Sequence, residues 1–159
     1  MLHIPVLLEE IIKASQEGGH QDLFDGTFGR GGHLRALLNL YPEAHAVAFD
    51  RDPEAIHYGQ KNFAAEIEQR RLELYHRDYR DFNPVEFKQF DFMLLDLGVS
   101  APQLDSGDRG FSFYHEGPLD MRMNNAEGPT AADLLNQKSE NELVQIFQEL
   151  GEIRRPHRV

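Results

Sequence analysis

The sequence predicts an α/β fold, a parallel sheet whose strands are joined by helical crossovers. Short apolar runs at Asp22–Asp25, His45–Asp50, 71–76 and 90–96 read as strands, and helical stretches at Gly32–Leu40 and 53–67 separate the first three. The later runs, Ala46-Val47-Ala48-Phe49 and Phe92-Met93-Leu94-Leu95, are continuously apolar, as expected of strands covered on both faces. The first strand leads straight into a glycine-rich turn and a helix.

The remaining elements follow in order. Leu7, Leu8, Ile11 and Ile12 share one helical face, with Pro5 suited to the first turn and Gly18-Gly19 ending the helix. After Asp96 the texture changes. Residues 97–129 carry Gly98, Gly107, Gly110, Gly117 and Gly128, three prolines and no strand-like run. A stretch of that length without regular structure is expected to be functional or disordered. Helices are predicted over 131–136 and 139–150, the second opened by a Ser139/Glu142 capping box and stopped at Gly151. The basic tail 154–158, broken by Pro156, is expected to fray.

Composition narrows the function classes. The 159 residues hold 16 Lys+Arg against 27 Asp+Glu, a formal charge of −11, and predict one domain or one domain plus part of another. The first residues have no basic signal region and no apolar run is long enough to span a bilayer, so the expectation is a cytoplasmic protein without membrane contact. Zero cysteines exclude disulfides, thiolate metal sites and a thiol nucleophile. Eight histidines without ligand spacing predict no metal. Net acidity argues against loose, charge-driven binding to nucleic acid.

Ligands of open α/β sheets bind beyond the carboxyl ends of the strands. There the first strand runs into Asp25-Gly26-Thr27-Phe28-Gly29-Arg30-Gly31-Gly32-His33. This is no P-loop, since Gly31-Gly32 is not followed by Lys-Ser/Thr, and no dinucleotide fingerprint, since Leu34 stands where a third glycine belongs. It reads either as a tight structural turn or as a cofactor loop at a helix N-terminus. Asp50, closing the second strand, suits hydrogen bonds from ribose hydroxyls, whereas Asp52 before Pro53 suits a helix N-cap. Asp78-Tyr79 either brackets an adenine or forms an exposed turn. Asp96, ending what reads as the most buried strand, is either a cap or a group facing the site. A glycine loop with acidic strand ends fits a cationic nucleoside cofactor without phosphates, which points to S-adenosyl-L-methionine.

Six strings then carry a resemblance. They are His3-Ile4-Pro5-Val6-Leu7-Leu8-Glu9-Glu10, the glycine loop of residues 25–33, Asp50-Arg51-Asp52-Pro53-Glu54-Ala55-Ile56, residues 94–105 beginning Leu94-Leu95-Asp96-Leu97-Gly98, Arg109-Gly110-Phe111-Ser112-Phe113, and Gly117-Pro118-Leu119-Asp120-Met121-Arg122-Met123. In this order they resemble the RsmH (MraW) family, bacterial enzymes that methylate the exocyclic N4 amine of one decoding-region cytidine in 16S rRNA of the 30S subunit. The resemblance implies a Rossmann-like methyltransferase sheet over 1–104 and, over 105–159, the beginning of an inserted helical domain that helps hold RNA. It implies cofactor contacts at Gly31, Gly32, His33, Asp50, Tyr79, Asp96 and Gln103. Tyr79 replaces the family's more usual Phe, and Ala101 its second serine. Beyond Gly151-Glu152 the family continues with the rest of the insertion and further strands, where this chain has residues 153–159. The sheet is therefore expected to be incomplete, with an exposed apolar edge that invites pairing with a second copy. The alternative expectation is a non-catalytic module that binds S-adenosylmethionine, RNA or a protein without turnover.

In such a reaction Asp96 either orients the cytosine amine or holds the cofactor's ammonium, with the cofactor role favoured. His33 is expected to pack or bind cofactor. Phe111 and Phe113 are either core residues or a stacking surface for an extruded base. Arg109 and Arg122 either contact phosphate or brace their loop. Recognition of a ribosomal substrate by shape and an unstacked base makes local charge matter more than the net −11.

Overall fold

The computed structural model describes residues 5–18, 21–87 and 89–159. Gly19, the second of the two glycines expected to end the first helix, lies outside these residues. The chain divides into two compact units, Met1–Gly98 and Val99–Val159, the break falling shortly before the expected 104/105 boundary, at Gly98 with φ 150°.

The first unit is a four-stranded parallel sheet of β1 (Asp22–Asp25), β2 (His45–Asp50), β3 (Leu72–His76) and β4 (Phe92–Leu94), in the order β3-β2-β1-β4. Alternation along β1 and β2 builds a different layer on each face. On one face Leu23, Ala46 and Ala48 pack with Leu34, Leu37 and Leu38 of helix α2 (Gly32–Leu40) and with Phe63. On the other, Phe24, Val47 and Phe49 meet Tyr75, Phe82, Phe87 and Phe90, so an aromatic loop covers the sheet where a helix would otherwise lie. Phe24 meets Phe49 edge-on, and Phe82 and Phe90 tilted, at 5.0–5.3 Å between ring centroids.

Several sequence expectations are corrected. Helix α1 spans Leu8–Ser15; Leu7 is its left-handed N-cap (φ 53°) and is exposed, and Pro5 lies ahead of the helix, against Gly32. The helix expected over 53–67 is two, α3 (Pro53–Asn62) and α4 (Ala64–Glu68). They break at Phe63, whose backbone leaves helical geometry (ψ 24°) as its ring enters the core at 2% exposure. Strand β4 is three residues long and forms an edge, with Met93 52% and Leu95 48% exposed, so it is neither the most buried strand nor covered on both faces. Among the described residues β1 is its one strand neighbour.

In the second unit, α5 (Ala101–Asp105) and a 3-10 turn at Gly107–Arg109 interrupt the stretch expected to be irregular. Ser100 and Gln103 close a capping box that starts α5. Helices α6 (Ala131–Gln137) and α7 (Glu140–Glu149) begin with the boxes Thr130/Asp133 and Ser139/Glu142. The tail does not fray: Pro156–Arg158 forms a 3-10 turn with Pro156 buried. Among the described residues no helix is long and apolar enough to cross a membrane.

Gly59, inside α3, shows which effect wins when helix propensity and packing conflict. A Cβ there would lie 2.5 Å from Leu74 Cδ2 and 2.7 Å from the buried Phe28 ring. Alanine gains about 1 kcal/mol of helix propensity, but overpacking costs about 1–3 kcal/mol. Gly59→Ala is expected to lower the urea midpoint without changing the m-value.

Candidate functional site

The carboxyl ends of β1, β2 and β4 carry an acidic rim. Asp25, the last residue of β1, is 2% exposed, and its Oδ1 accepts the Thr27 N–H at 3.0 Å and faces Thr27 Oγ1 at 3.5 Å. Burial raises its carboxyl to about 6, against the Thr27 N–H and His33, which lower it, and reinforced by the Asp50 and Asp96 charges. Asp50, the last residue of β2, accepts the Gly29 N–H at 2.6 Å and the Asp52 N–H at 2.8 Å. Burial pushes its carboxyl up as well, more than these two amides bring it down. Asp96 lies two residues past β4; its N–H donates to Thr27 Oγ1 at 2.7 Å, and its side chain is 50% exposed. His33 is buried, with Nε2 2.9 Å from the Val6 carbonyl, which can only accept, so Nε2 carries a proton. Its Nδ1 lies 3.9 Å from Asp96 Oδ2.

The structure thus brings His33, Asp50 and Asp96 of the expected site together around Asp25. Sequence reasoning used Asp25 only as the start of the loop. Its position as the last strand residue before the glycines was the available signal. Tyr79 stands close by, half-buried, its Cβ 3.0 Å from where a Cβ on Gly26 would lie.

The glycines have a packing role. Gly31 has φ 67° and N-caps α2, and a Cβ there would lie 2.5 Å from the Phe63 ring and 2.7 Å from that of Phe28. A Cβ on Gly32 would lie 2.5 Å from Pro5. Both glycines are required by the protein's own packing, and the Gly31 N–H is taken by the Phe28 carbonyl at 2.6 Å. Asp52 is the N-cap of α3, accepting the Glu54 N–H at 2.9 Å. Asp78 caps the 3-10 turn Tyr79–Asp81 and is gripped by the Arg80 and Arg51 guanidiniums, which hold its carboxyl down to about 2. Of the two readings of Asp78, the structure takes the turn.

The other expected site residues belong to the second unit. Gln103 is buried, its Oε1 accepting the Ser100 N–H at 2.9 Å. Arg109 is 5% exposed and donates to the carbonyls of Arg122 and Met123 at 3.1 and 2.8 Å. Arg122 grips Asp120 through Nε and Nη2, at 2.9 and 2.6 Å, and reaches the Gly128 carbonyl. Both arginines brace the loop, and Arg109 is too buried to meet a phosphate. Phe111 is half-buried, whereas Phe113 is 99% exposed beside Tyr114 at 94%, so Phe113 is not core.

Asp25 carries a pH signature. Its carboxyl titrates at about 6 in the fold against an ordinary 3.8, so the native state holds the extra proton between these values. Its contribution to stability is therefore complete below about 4 and is lost as pH rises through about 6, on the order of 3 kcal/mol in all. Asp25→Asn keeps the acceptor for Thr27 and removes the titration. The stability of wild type relative to Asp25→Asn, measured by urea unfolding, is expected to fall across that window; parallel curves would refute the assignment.

The sequence profile of the MraW methylase family matches residues 1–159. The chain is 50% identical over 160 residues to ribosomal RNA small subunit methyltransferase H of Bdellovibrio bacteriovorus, covering 99% of this chain and 49% of that protein. It is 41% identical to the protein of the same name from Crocosphaera subtropica, covering 97% of this chain and 48% of that protein. The chain therefore spans about half the length of the curated relatives it matches. Among solved structures, a SAM-dependent methyltransferase from Aquifex aeolicus is a distant likeness, with TM-score 0.44 and 15% identity over 91% of this chain and 78% of that one. With its whole length matched by the family profile, the chain belongs to the MraW methylase family.

Proposed function

We propose that this chain forms the S-adenosylmethionine-binding part of an rRNA methyltransferase acting on the N4 amine of a decoding-region cytidine of 16S rRNA in the 30S subunit. The observation that carries the reading is the acidic rim of Asp25, Asp50 and Asp96 at the strand ends, in a chain of a methylase family. The donor set fits the cofactor. Its sulfonium and ammonium are cationic, its ribose hydroxyls seek acceptors, and it has no phosphate to repel.

Each Asp50 oxygen already accepts one N–H and keeps a second lone pair for a hydroxyl. Asp25 supplies buried negative charge, stronger for being desolvated. Tyr79 offers a half-buried ring at the strand ends. When bound, S-adenosylmethionine supplies an activated methyl group on a sulfonium. Methyl transfer to an amine is an in-line displacement, so the protein's task is positioning and charge placement rather than strong-base catalysis. The half-exposed Asp96, its backbone held by Thr27, accepts an N–H of the cytosine amine and turns the nitrogen lone pair outward. The surplus proton on the nitrogen passes, after attack, to solvent at the half-exposed Asp96. Gln103 is assigned to the cofactor through the family resemblance, and the exposed Phe113 offers a stacking surface for the extruded base.

A second reading, a module that binds without turnover, is favoured by the chain's spanning about half of its relatives. Two measurements on the 159-residue chain separate the readings. Methyl incorporation from labelled S-adenosylmethionine into 30S particles lacking the modification, reduced about 100-fold or more by Asp96→Ala, supports the enzyme. Cofactor binding by calorimetry without incorporation selects the module, and absence of both rejects the assignment. Cofactor affinity is also expected to rise with pH through about 6, by up to tenfold per unit below it, because a cation binds the deprotonated Asp25. Asp25→Asn should flatten that dependence.

A further inference from the structure

A cleft of about 610 Å³ lies between the glycine loop and one face of α3. Its walls include Arg30 from the loop and Glu54, His57, Tyr58 and Lys61 from the helix, at the i, i+3, i+4, i+7 spacing of a single face. Arg30 lies flat over Tyr58, its Cζ 4.5 Å from the ring centroid. That stacking fixes the guanidinium while leaving its N–H edge to face an acceptor.

The charge pattern singles this cleft out. In the same unit Arg35 pairs with Glu66, Arg51 and Arg80 with Asp78, and Arg77 with Glu86, while Arg71 donates to the carbonyls of Leu38 and Tyr41. Arg30 and Lys61 have no carboxylate within 4.0 Å among the described residues; Lys13 and Arg70 share that condition but do not wall this cleft, whose own acidic member is Glu54. In a chain of net charge −11, two cations without such a partner facing one hollow mark a place for an external anion.

Its shape decides what kind of anion. The cleft follows α3 from Pro53 to Lys61, a helical rise of about 12 Å, and begins at the glycine loop beside the acidic rim. An elongated hollow with separated cations and an aromatic ring suits a sugar-phosphate backbone better than one compact phosphate ion. We propose that the cleft carries the backbone of the single-stranded RNA flanking the target base, with Arg30 and Lys61 on its phosphates. This inference rests on the RNA-methyltransferase reading and gives that reading a substrate track.

The test is the salt dependence of binding. A fluorescently labelled single-stranded oligoribonucleotide of the 16S decoding region is titrated with the chain by anisotropy at several salt concentrations. Lys61→Gln and Arg30→Gln are each expected to weaken binding a few-fold and to reduce the slope of log K against log salt by about 0.7. Lys13→Gln, removing an exposed cation of α1, should change neither. Unchanged affinity and slope in both cleft variants would overturn the proposal, as would failure of the wild-type chain to bind the oligomer. Inorganic phosphate at matched ionic strength should not displace the RNA. If it does so with the same Lys61 dependence, the cleft is a free-anion site and the RNA assignment falls. Calorimetry with S-adenosylmethionine on wild type and Lys61→Gln keeps the two readings apart. Equal affinities are expected, while loss of cofactor binding by wild type rejects the broader function and leaves the slope comparison to decide the cleft.

Discussion

The hydroxyl of Thr27 holds the candidate site together. Asp96 lies past the end of a three-residue edge strand, where no ladder fixes the backbone. The 2.7 Å bond from its N–H to Thr27 Oγ1 ties it to the turn that follows β1. Thr27 is set in turn by Asp25, which accepts its N–H. The buried acid, the turn and the exposed acid therefore form one chain of hydrogen bonds across two strand ends. A neutral amide-to-hydroxyl bond of this kind contributes roughly 0.5–1.5 kcal/mol, which helps order a short segment that packing leaves loose.

The acidic rim illustrates how burial and pairing compete over a carboxylate. Asp78 sits between two guanidiniums, and the charges win, holding it near 2. Asp25 has one backbone amide and nearby His33 against complete burial and two neighbouring acids, and burial wins, lifting it to about 6. The first arrangement is a satisfied turn cap. The second is a carboxylate that burial disfavours and a nearby cation would favour, the kind of perturbation that makes Asp25 a site candidate.

Glycines and arginines of the same motifs divide by what surrounds them. Gly31 and Gly32 make room for Phe28, Phe63 and Pro5, so the loop's geometry is enforced from inside the core. Arg109 and Arg122 are consumed by carbonyls and by Asp120. Arg30, immediately before Gly31 in sequence, instead stacks on Tyr58 and keeps its hydrogen-bonding edge available. Motif membership alone does not separate these fates; the contact made by each side chain does.

Sequence alone determined the parallel α/β pattern, the strands at Asp22–Asp25 and His45–Asp50, the helix Gly32–Leu40 and the caps at Asp52 and Ser139. These follow from local periodicity and short-range hydrogen bonding, which neighbouring residues specify. Asp50 and Asp96 were legible for the same reason, as polar residues ending apolar runs. Tertiary structure decided the rest. Whether β4 is central or an edge depends on strands far away in sequence, and so does the exposure of Met93 and Leu95. The break at Phe63 arises because the core claims its ring, overriding a continuous helical pattern. The perturbed charge of Asp25 and the arginine-lined cleft come from burial and from pairings across elements, which spacing along the chain does not encode.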